Sequence, residues 1–466
     1  MANPSLQAHR EARRRMMLED PVAKVIPVVA IPSIISMLVD SIYNLADTFF
    51  VSQIGTYATA AVGVNDSLMM LLRAVAMGFG VGASSYISRL LGAKKEDEAN
   101  GVAATALYTT IAVGILMCII GFLFMEPLVM MLGSTENTKA YTMDYARFIL
   151  LAAPITAANV ILQQLLRSEG STRYSMFGMV SGCAVNIALD PLFIMVFDWG
   201  VAGAAAATAL SKCISLVVLM IPFIRKKTVL EVSIRLFKPK VKTYLEIGRM
   251  GIPTLLRSSL MSVATITTNN VAGNFSDAAL AAISVGNKCV RFIGSMIMGF
   301  SQGFQPVAGY CWGAKRYTRV KECFRFTVLM GTTISVVLGI IIGIFAKNIV
   351  GLFSATKDAE VIRLGTLMIQ SQCLTMVLHM IVMLASGLFQ ALGRALNATI
   401  MNLSRQVIAF IPCVIILSKI FGVEGLAVAQ AASDLVAAMI AIPLIIHLMR
   451  QINKYAAMDP EQVTTE

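Results

Sequence analysis

The sequence is short of charge. Only 14% of its 466 residues are Asp, Glu, Lys or Arg, where a water-soluble domain carries roughly a quarter. That is too little to coat a surface facing water. Residues for common catalytic and metal chemistry are scarce as well: there are three histidines, and the eight cysteines form no CxxC pair. They read as reduced residues of apolar segments, outside any disulfide framework or metal site. No nucleotide-binding loop of GxxxxGK[ST] form occurs, which removes ATP hydrolysis by this chain as an energy source. The basic start, with Arg10, Arg13, Arg14 and Arg15, runs into a full-length apolar segment without a small-residue cleavage site, so no cleavable leader is expected. No resident cofactor is expected either.

What is present is apolar. Hydrophobic residues make up 57% of the chain, and the mean hydropathy is +0.75. Runs such as 102–125, 201–224 and 327–345 approach or exceed the ~20 residues that cross a bilayer as a helix. They lack the period of two that a membrane β-barrel needs. Apolar runs set against breakers predict twelve spans, near 22–45, 58–90, 98–125, 138–166, 173–197, 201–224, 244–270, 279–312, 319–347, 359–391, 395–418 and 422–449.

The net charge of +12 does not form a nucleic-acid-binding face, because the cations sit in short segments between spans. They alternate. The N-terminal tail, Arg89/Lys94/Lys95, Arg167/Arg173, the segment from Arg225 to Lys242, Lys315/Arg316, Arg394/Arg405 and Arg450/Lys454 are rich in cations, and the connections between them are poor. The positive-inside rule then places both termini in the cytoplasm of a multi-pass protein of the inner, or plasma, membrane. Its partners are the lipid bilayer and a small organic substrate, with no nucleic acid, and the chain is expected to act as a monomer.

Two halves echo one another. Ile31-Pro32-Ser33 recurs as Ile252-Pro253-Thr254, Met77-Gly78-Phe79 as Met298-Gly299-Phe300, and Gly92-Ala93-Lys94-Lys95 as Gly313-Ala314-Lys315-Arg316, all at an offset of 221. Pro191 matches Pro412 at the same offset, and Gly200 through Gly203 match Gly422 through Gly425 at 222. Each half holds an even number of spans, so both enter the membrane the same way round, as parallel repeats flanking a central cavity. The expected fold is therefore an all-α polytopic membrane protein, with twelve transmembrane helices in two pseudo-symmetric six-helix lobes. The domains are a tail (1–21), an N-lobe (22–224), a linker (225–243), a C-lobe (244–449) and a second tail (450–466).

From about Pro27 to Leu448 the chain resembles the multidrug and toxic compound extrusion (MATE) exporters. The likeness rests on the two-lobe pattern together with Asp47-Thr48-Phe49-Phe50-Val51, Leu91-Gly92-Ala93-Lys94, Asn186-Ile187-Ala188-Leu189-Asp190-Pro191-Leu192 and the segment Gly200 to Thr208. It implies a secondary active antiporter that exports organic, cationic or amphipathic, compounds in exchange for H⁺ or Na⁺ by rocking two lobes.

Ionisable groups within spans are costly and mark function. Asp40 lies in the first span. Asn186 and Asp190 lie four residues apart on one face of the fifth, and Pro191 frees a carbonyl beside them. Two carboxylates and an amide suit a proton or Na⁺. In one branch of the family a first-span Asp, a fifth-span Asn and Asp and a sixth-span Thr make an N-lobe cation site. Asp40, Asn186, Asp190 and Thr208 match it, so the resemblance implies ion coupling there and no other metal site. Pro27 and Pro32 give the first span a kink that could bend in gating. The seventh and tenth spans lack the carboxylates of another branch, leaving His379 as a structural residue.

Cations within spans, Arg73, Lys212, Arg257, Lys288 and Arg291, are unexpected in a cation exporter, since like charge repels the cargo. Either they pair with Asp66, Asp434 or carbonyls, or Arg73, Arg257, Lys288 and Arg291 line a substrate cavity in which the second lobe recognises an anionic or zwitterionic cargo, such as an anionic metabolite or a lipid-linked compound. Lys212 and Asp434 occupy equivalent repeat positions, which admits a pair between the lobes. Methionines such as Met70 and Met298 suit either a variable cavity or the membrane core. An intramembrane aspartyl protease built on Asp40 and Asp190 lacks the GxGD context, so no enzyme activity is expected.

Overall fold

The computed structural model describes residues 4–54, 56–353 and 359–458. Asp358 and the last part of the C-terminal tail lie outside them. Fifteen α-helices follow one another: α1 (Pro4–Leu18), α2 (Val22–Ser52), α3 (Thr56–Gly92), α4 (Glu96–Leu123), α5 (Met125–Met131), α6 (Lys139–Leu151), α7 (Ala153–Ser168), α8 (Thr172–Pro191), α9 (Gly200–Ile224), α10 (Val241–Gly273), α11 (Asp277–Gly313), α12 (Tyr317–Phe353), α13 (Ala359–Ala391), α14 (Ala395–Leu403) and α15 (Phe410–Ala457). No strand occurs among the described residues.

Breaks in this series have identifiable causes. The expected fourth span is two helices, α6 and α7, bent by 51°, and a proline stands in the first turn of α7. Proline can begin a helix but cannot continue one without losing a hydrogen bond. Pro191 likewise ends α8, and a π-helical turn, Leu192–Val196, carries the chain on. A second π-helical stretch, Ser404–Ala409, joins α14 to α15. The 48 residues of α15 contain Gly422 at φ 63° and ψ −139°, a conformation that a Cβ disfavours. The chain turns there, between the expected eleventh and twelfth spans. Both α10 and α11 carry polar and charged side chains along one face, which makes them the least apolar of the long helices.

The lobes meet through their repeat-related helices. A Cβ on Gly82 of α3 would lie 2.2 Å from the Ile247 carbonyl oxygen of α10, and one on Gly303 of α11 would lie 2.4 Å from the Ala30 Cα of α2. Since 303 − 82 = 221, the two glycines are repeat mates, and a strictly repeated contact is made one turn away, where Gly78 faces Leu255 and Gly299 faces Ile34. Gly92 approaches the Tyr310 carbonyl and Gly313 the Arg89 carbonyl, which are again partners at 221. A pseudo-two-fold axis therefore runs between α3 and α11. Backbone meets backbone at the end of the molecule that carries the chain termini, and a cavity between the lobes lies farther along the helices.

That closed end is covered. Arg10 of α1 donates to the Val229 carbonyl at 3.3 Å and pairs with Glu96 at 2.8 Å and Glu231 at 3.3 Å. Residues 225–240 run between the lobes with one 3-10 turn, Ile234–Leu236. They are held by Glu169, whose carboxylate accepts from the amides of Val229 (2.7 Å) and Leu230 (2.9 Å).

Candidate functional site: a central cavity and an N-lobe polar cluster

A cavity of about 280 Å³ lies between the lobes. Its lining follows from helical periodicity. On α3 it takes Met70, Arg73 and Met77, and on α11 it takes Ser295, Met298 and Gln302. These are steps of three and four that keep to one face. Asp40 comes from α2, Arg167 from α7, Lys212 from α9 and Arg257 from α10. Both lobes therefore contribute charge.

Asp40 and Arg73 form a two-pronged ion pair, with Arg73 donating at 3.0 and 3.3 Å to the two carboxylate oxygens. Arg167 is 2% exposed. One of its nitrogens donates to Gln302 of the opposite lobe, while its Nε and Nη2 have no partner among the described residues. The Lys212 ammonium stands 5.5 Å from the centre of the Tyr43 ring.

A second polar cluster lies farther from the chain termini, on three N-lobe helices, α2, α8 and α9. Asn186 and Asp190 of α8 and Thr208 of α9 are buried. Asn186 donates to Asp190 at 3.2 Å and reaches Thr208 at 3.4 Å. Asp47 of α2, 8% exposed, stands close enough for its charge to act on Asp190, and the Tyr43 ring borders both. The remaining oxygens, Asp190 Oδ2, Asn186 Oδ1 and Asp47 Oδ1, have no hydrogen-bond partner among the described residues. Buried acceptors without donors are costly, and a proton or a small cation would satisfy them.

The two sites share helix faces. Asp40, Tyr43 and Asp47 are three and four residues apart on α2; Gly182, Asn186 and Asp190 are four apart on α8; Thr208 and Lys212 are four apart on α9. Each face passes from cavity to cluster.

Of the residues singled out in the sequence, the structure brings Asn186, Asp190 and Thr208 together and places Asp40 in the cavity with Arg73. Lys288 and Arg291 are exposed on α11, beyond the cavity lining. The pairing of Lys212 with Asp434 does not form. Asp434 instead accepts from Arg405 at 2.7 Å and Gln372 at 2.6 Å within the C-lobe, where it is wholly buried. An ion pair at short range inside one lobe leaves nothing for a partner across the cleft. His379 is buried on α13, two turns from Gln372. Pro27 and Pro32 both lie inside a continuous α2. Arg167 and Asp47 were missed as site residues. Arg167 reads as a cation of a loop because it closes α7, and Asp47 reads as a span end; only the shared α2 face with Asp40 pointed to Asp47.

Residues 32–192 and 253–415 each match the MatE family model, one match to each lobe. The chain belongs to the MATE family. This MATE transporter is 30% identical over 433 residues to the multidrug export protein MepA of Staphylococcus aureus, covering 93% of this chain and 95% of that one. It is similar to an outward-facing multidrug resistance MATE transporter of the MOP superfamily, with a TM-score of 0.90 at 26% identity, over 94% of this chain and 98% of the other. It is also similar to a MOP superfamily transporter from Pyrococcus furiosus, described as having a binding pocket of reversed polarity, with a TM-score of 0.89 at 27% identity over 94% and 98%. These likenesses bear out the twelve-helix, two-lobe fold read from the repeats, and a membrane transporter, not a protease, is what the fold serves.

Proposed function

We propose that this MATE transporter is a cation-driven antiporter in which Asp190, Asn186 and Thr208, with Asp47 beside them, take up the coupling H⁺ or Na⁺, and in which an organic, amphipathic substrate occupies the central cavity. The observation that carries this is the set of buried acceptor oxygens on Asp190, Asn186 and Asp47 that no described residue satisfies. An unpaired carboxylate held out of water favours whatever neutralises it. Coupling needs the ion to bind one arrangement of the lobes more tightly than the other. The shared faces of α2, α8 and α9 supply a route, since ion uptake at Asp190 acts on helices that also hold Asp40 and Lys212. Pro27 and Pro32 give α2 a weak point at which to bend. Positive-inside charge places the chain termini, and the closed end, in the cytoplasm of the inner or plasma membrane.

The test is export from vesicles under an imposed proton gradient and, separately, an imposed Na⁺ gradient, with a panel of cationic and anionic dyes. The native protein is expected to export at least one dye under one gradient, and Asp190→Asn to lose the gradient dependence. Equal gradient dependence in the native protein, Asp190→Asn and Asp47→Asn would remove the coupling role.

A further inference from the structure

The cavity holds more positive charge than its own carboxylate can balance. Four cationic side chains line it, Arg73, Arg167, Lys212 and Arg257, against the single carboxylate of Asp40. Asp40 is committed to Arg73, which leaves three cations over. Arg167 is bonded only to the neutral Gln302, and two of its nitrogens are buried without partners. Lys212 faces an aromatic ring. Arg257 feels the charge of another cation, Arg405, and Arg405 is itself taken by Asp434.

We propose that the central cavity binds an amphipathic organic anion, whose carboxylate, sulfonate or phosphate is held by Arg167, Lys212 and Arg257. This deepens, and rests on, the assignment of the cavity as the substrate site of an exporter. Unpaired cations in a low-dielectric site repel one another and each carries a desolvation cost, which a bound anion offsets and a bound cation increases. Guanidinium groups suit planar, two-oxygen anions in particular. The rest of the wall is soft and apolar: Met37, Met70, Met77, Met179 and Met298 would pack a range of hydrocarbon bodies.

The mouth of the cleft has the same polarity. Lys288, Arg291, Ser295, Met298 and Gln302 are spaced by three, four, three and four residues along α11, one continuous face. The first two are exposed and the last three line the cavity. Asp66 of α3 lies within electrostatic reach of both Arg73 and Arg291 without an ion pair to either among the described residues.

The test is calorimetric titration of the purified full-length protein, in uncharged detergent at low salt, with 1-naphthyl phosphate, 1-naphthalenesulfonate and 1-naphthylmethylammonium. The three share an apolar body and differ in charge. Both anions are expected to bind saturably and at least tenfold more tightly than the ammonium. Arg257→Gln and Lys212→Gln should each weaken the anions by roughly tenfold, the scale of one charged hydrogen-bond partner, while Arg257→Lys keeps most of the affinity. Arg257→Glu should raise ammonium binding. Repeating the titration in nanodiscs with and without phosphatidylglycerol separates the sources: competition by that lipid means an anionic group delivered from the membrane, and its absence means a soluble anion. Tighter binding of the ammonium, or anion binding untouched in both Gln variants, would overturn the proposal. Anion binding is read without any gradient, whereas ion coupling is read from gradient-driven export. Failure of ion coupling and failure of anion recognition are therefore distinguishable.

Discussion

At the scale of single residues, two carboxylates that look alike in the sequence keep different company. Asp40 has a cationic partner and Asp190 has only the neutral Asn186, so their amides should behave differently. Asp40→Asn frees Arg73 inside the cavity. Loss of one member of a fully buried pair costs about 3–5 kcal/mol, but these side chains are 19% and 33% exposed, so a loss of about 1–3 kcal/mol is expected. Thermal unfolding in detergent measures it, and affinity for 1-naphthyl phosphate should rise in the same variant. Asp190→Asn should leave stability unchanged or raise it, since it removes a buried carboxylate with an unsatisfied oxygen; a lower melting temperature would contradict this. A third carboxylate, Glu169, lies outside the spans. Burial pushes its carboxyl up from the usual range, against the bonds from the linker amides and the nearby Arg13 charge that favour the charged form. A raised pKa in the folded state means that the fold holds its proton more tightly than the unfolded chain does. Stability contributed by this group therefore falls as pH rises from the ordinary Glu range through the raised value. Glu169→Gln keeps an acceptor for the Val229 and Leu230 amides and should flatten that slope in a pH series of melting temperatures. Glu169→Ala strands two buried amides, each at about 1–3 kcal/mol, and should melt lower at every pH.

At the scale of helices, most of the architecture was legible because it is written in periodicities that one sequence contains. Apolar run length fixes the spans, and the 221-residue offset pairs Gly82 with Gly303 before any contact is known. What those glycines touch was not legible, because contact between lobes is a property of how two halves dock. Nor was the company of Asp40. Helical spacing places a side chain on a face, and Arg73 is 33 residues away on another helix. The bend between α6 and α7 was missed because Pro154 falls inside one continuous apolar run. The docking geometry carries its own prediction. A Cβ at Gly82 or Gly303 meets backbone, at 2.2 and 2.4 Å, which cannot swing aside as a side-chain end can. Gly82→Ala and Gly303→Ala should each destabilise this arrangement of the lobes by about 1–3 kcal/mol, seen as a lower melting temperature. Gly273→Ala at the end of α10, with nothing near its Cβ position, should not. Equal melting of all three would show that the lobes do not rest against one another as described.

At the scale of the whole molecule, α1 is placed as a strap across the end where the lobes close. Composition reads residues 1–21 as a basic tail, yet Met17 is fully buried and packs against Gly170. Arg13 donates to the Gly170 carbonyl at 3.3 Å, and Arg10 grips the linker and α4. From the C-lobe, Arg319 of α12 donates to the Met17 carbonyl at 3.1 Å, and Cys311 of α11 lies against the same carbonyl. One short helix thus binds the N-lobe, the linker and the C-lobe at once. Any rocking that opens this end must break these contacts or carry α1 away with one lobe. Contacts made in one arrangement and lost in the other bias the equilibrium between them. Removing residues 1–18 should therefore favour opening at this end without unfolding the lobes, since α1 adds to the large main core little beyond Met17, with Met16 and Leu18 at its edge. Hydrogen exchange at the meeting ends of α3 and α11, residues 89–95 and 310–316, should speed up by roughly tenfold for each 1.4 kcal/mol of lost bias, while exchange in α13 stays as in the full chain. Arg319→Ala, which releases only the C-lobe side of α1, should show the same change to a smaller degree. If exchange at those ends is the same with and without residues 1–18, α1 rides on the closed end without holding it shut, and the glycine contacts between α3, α10 and α11 close it alone.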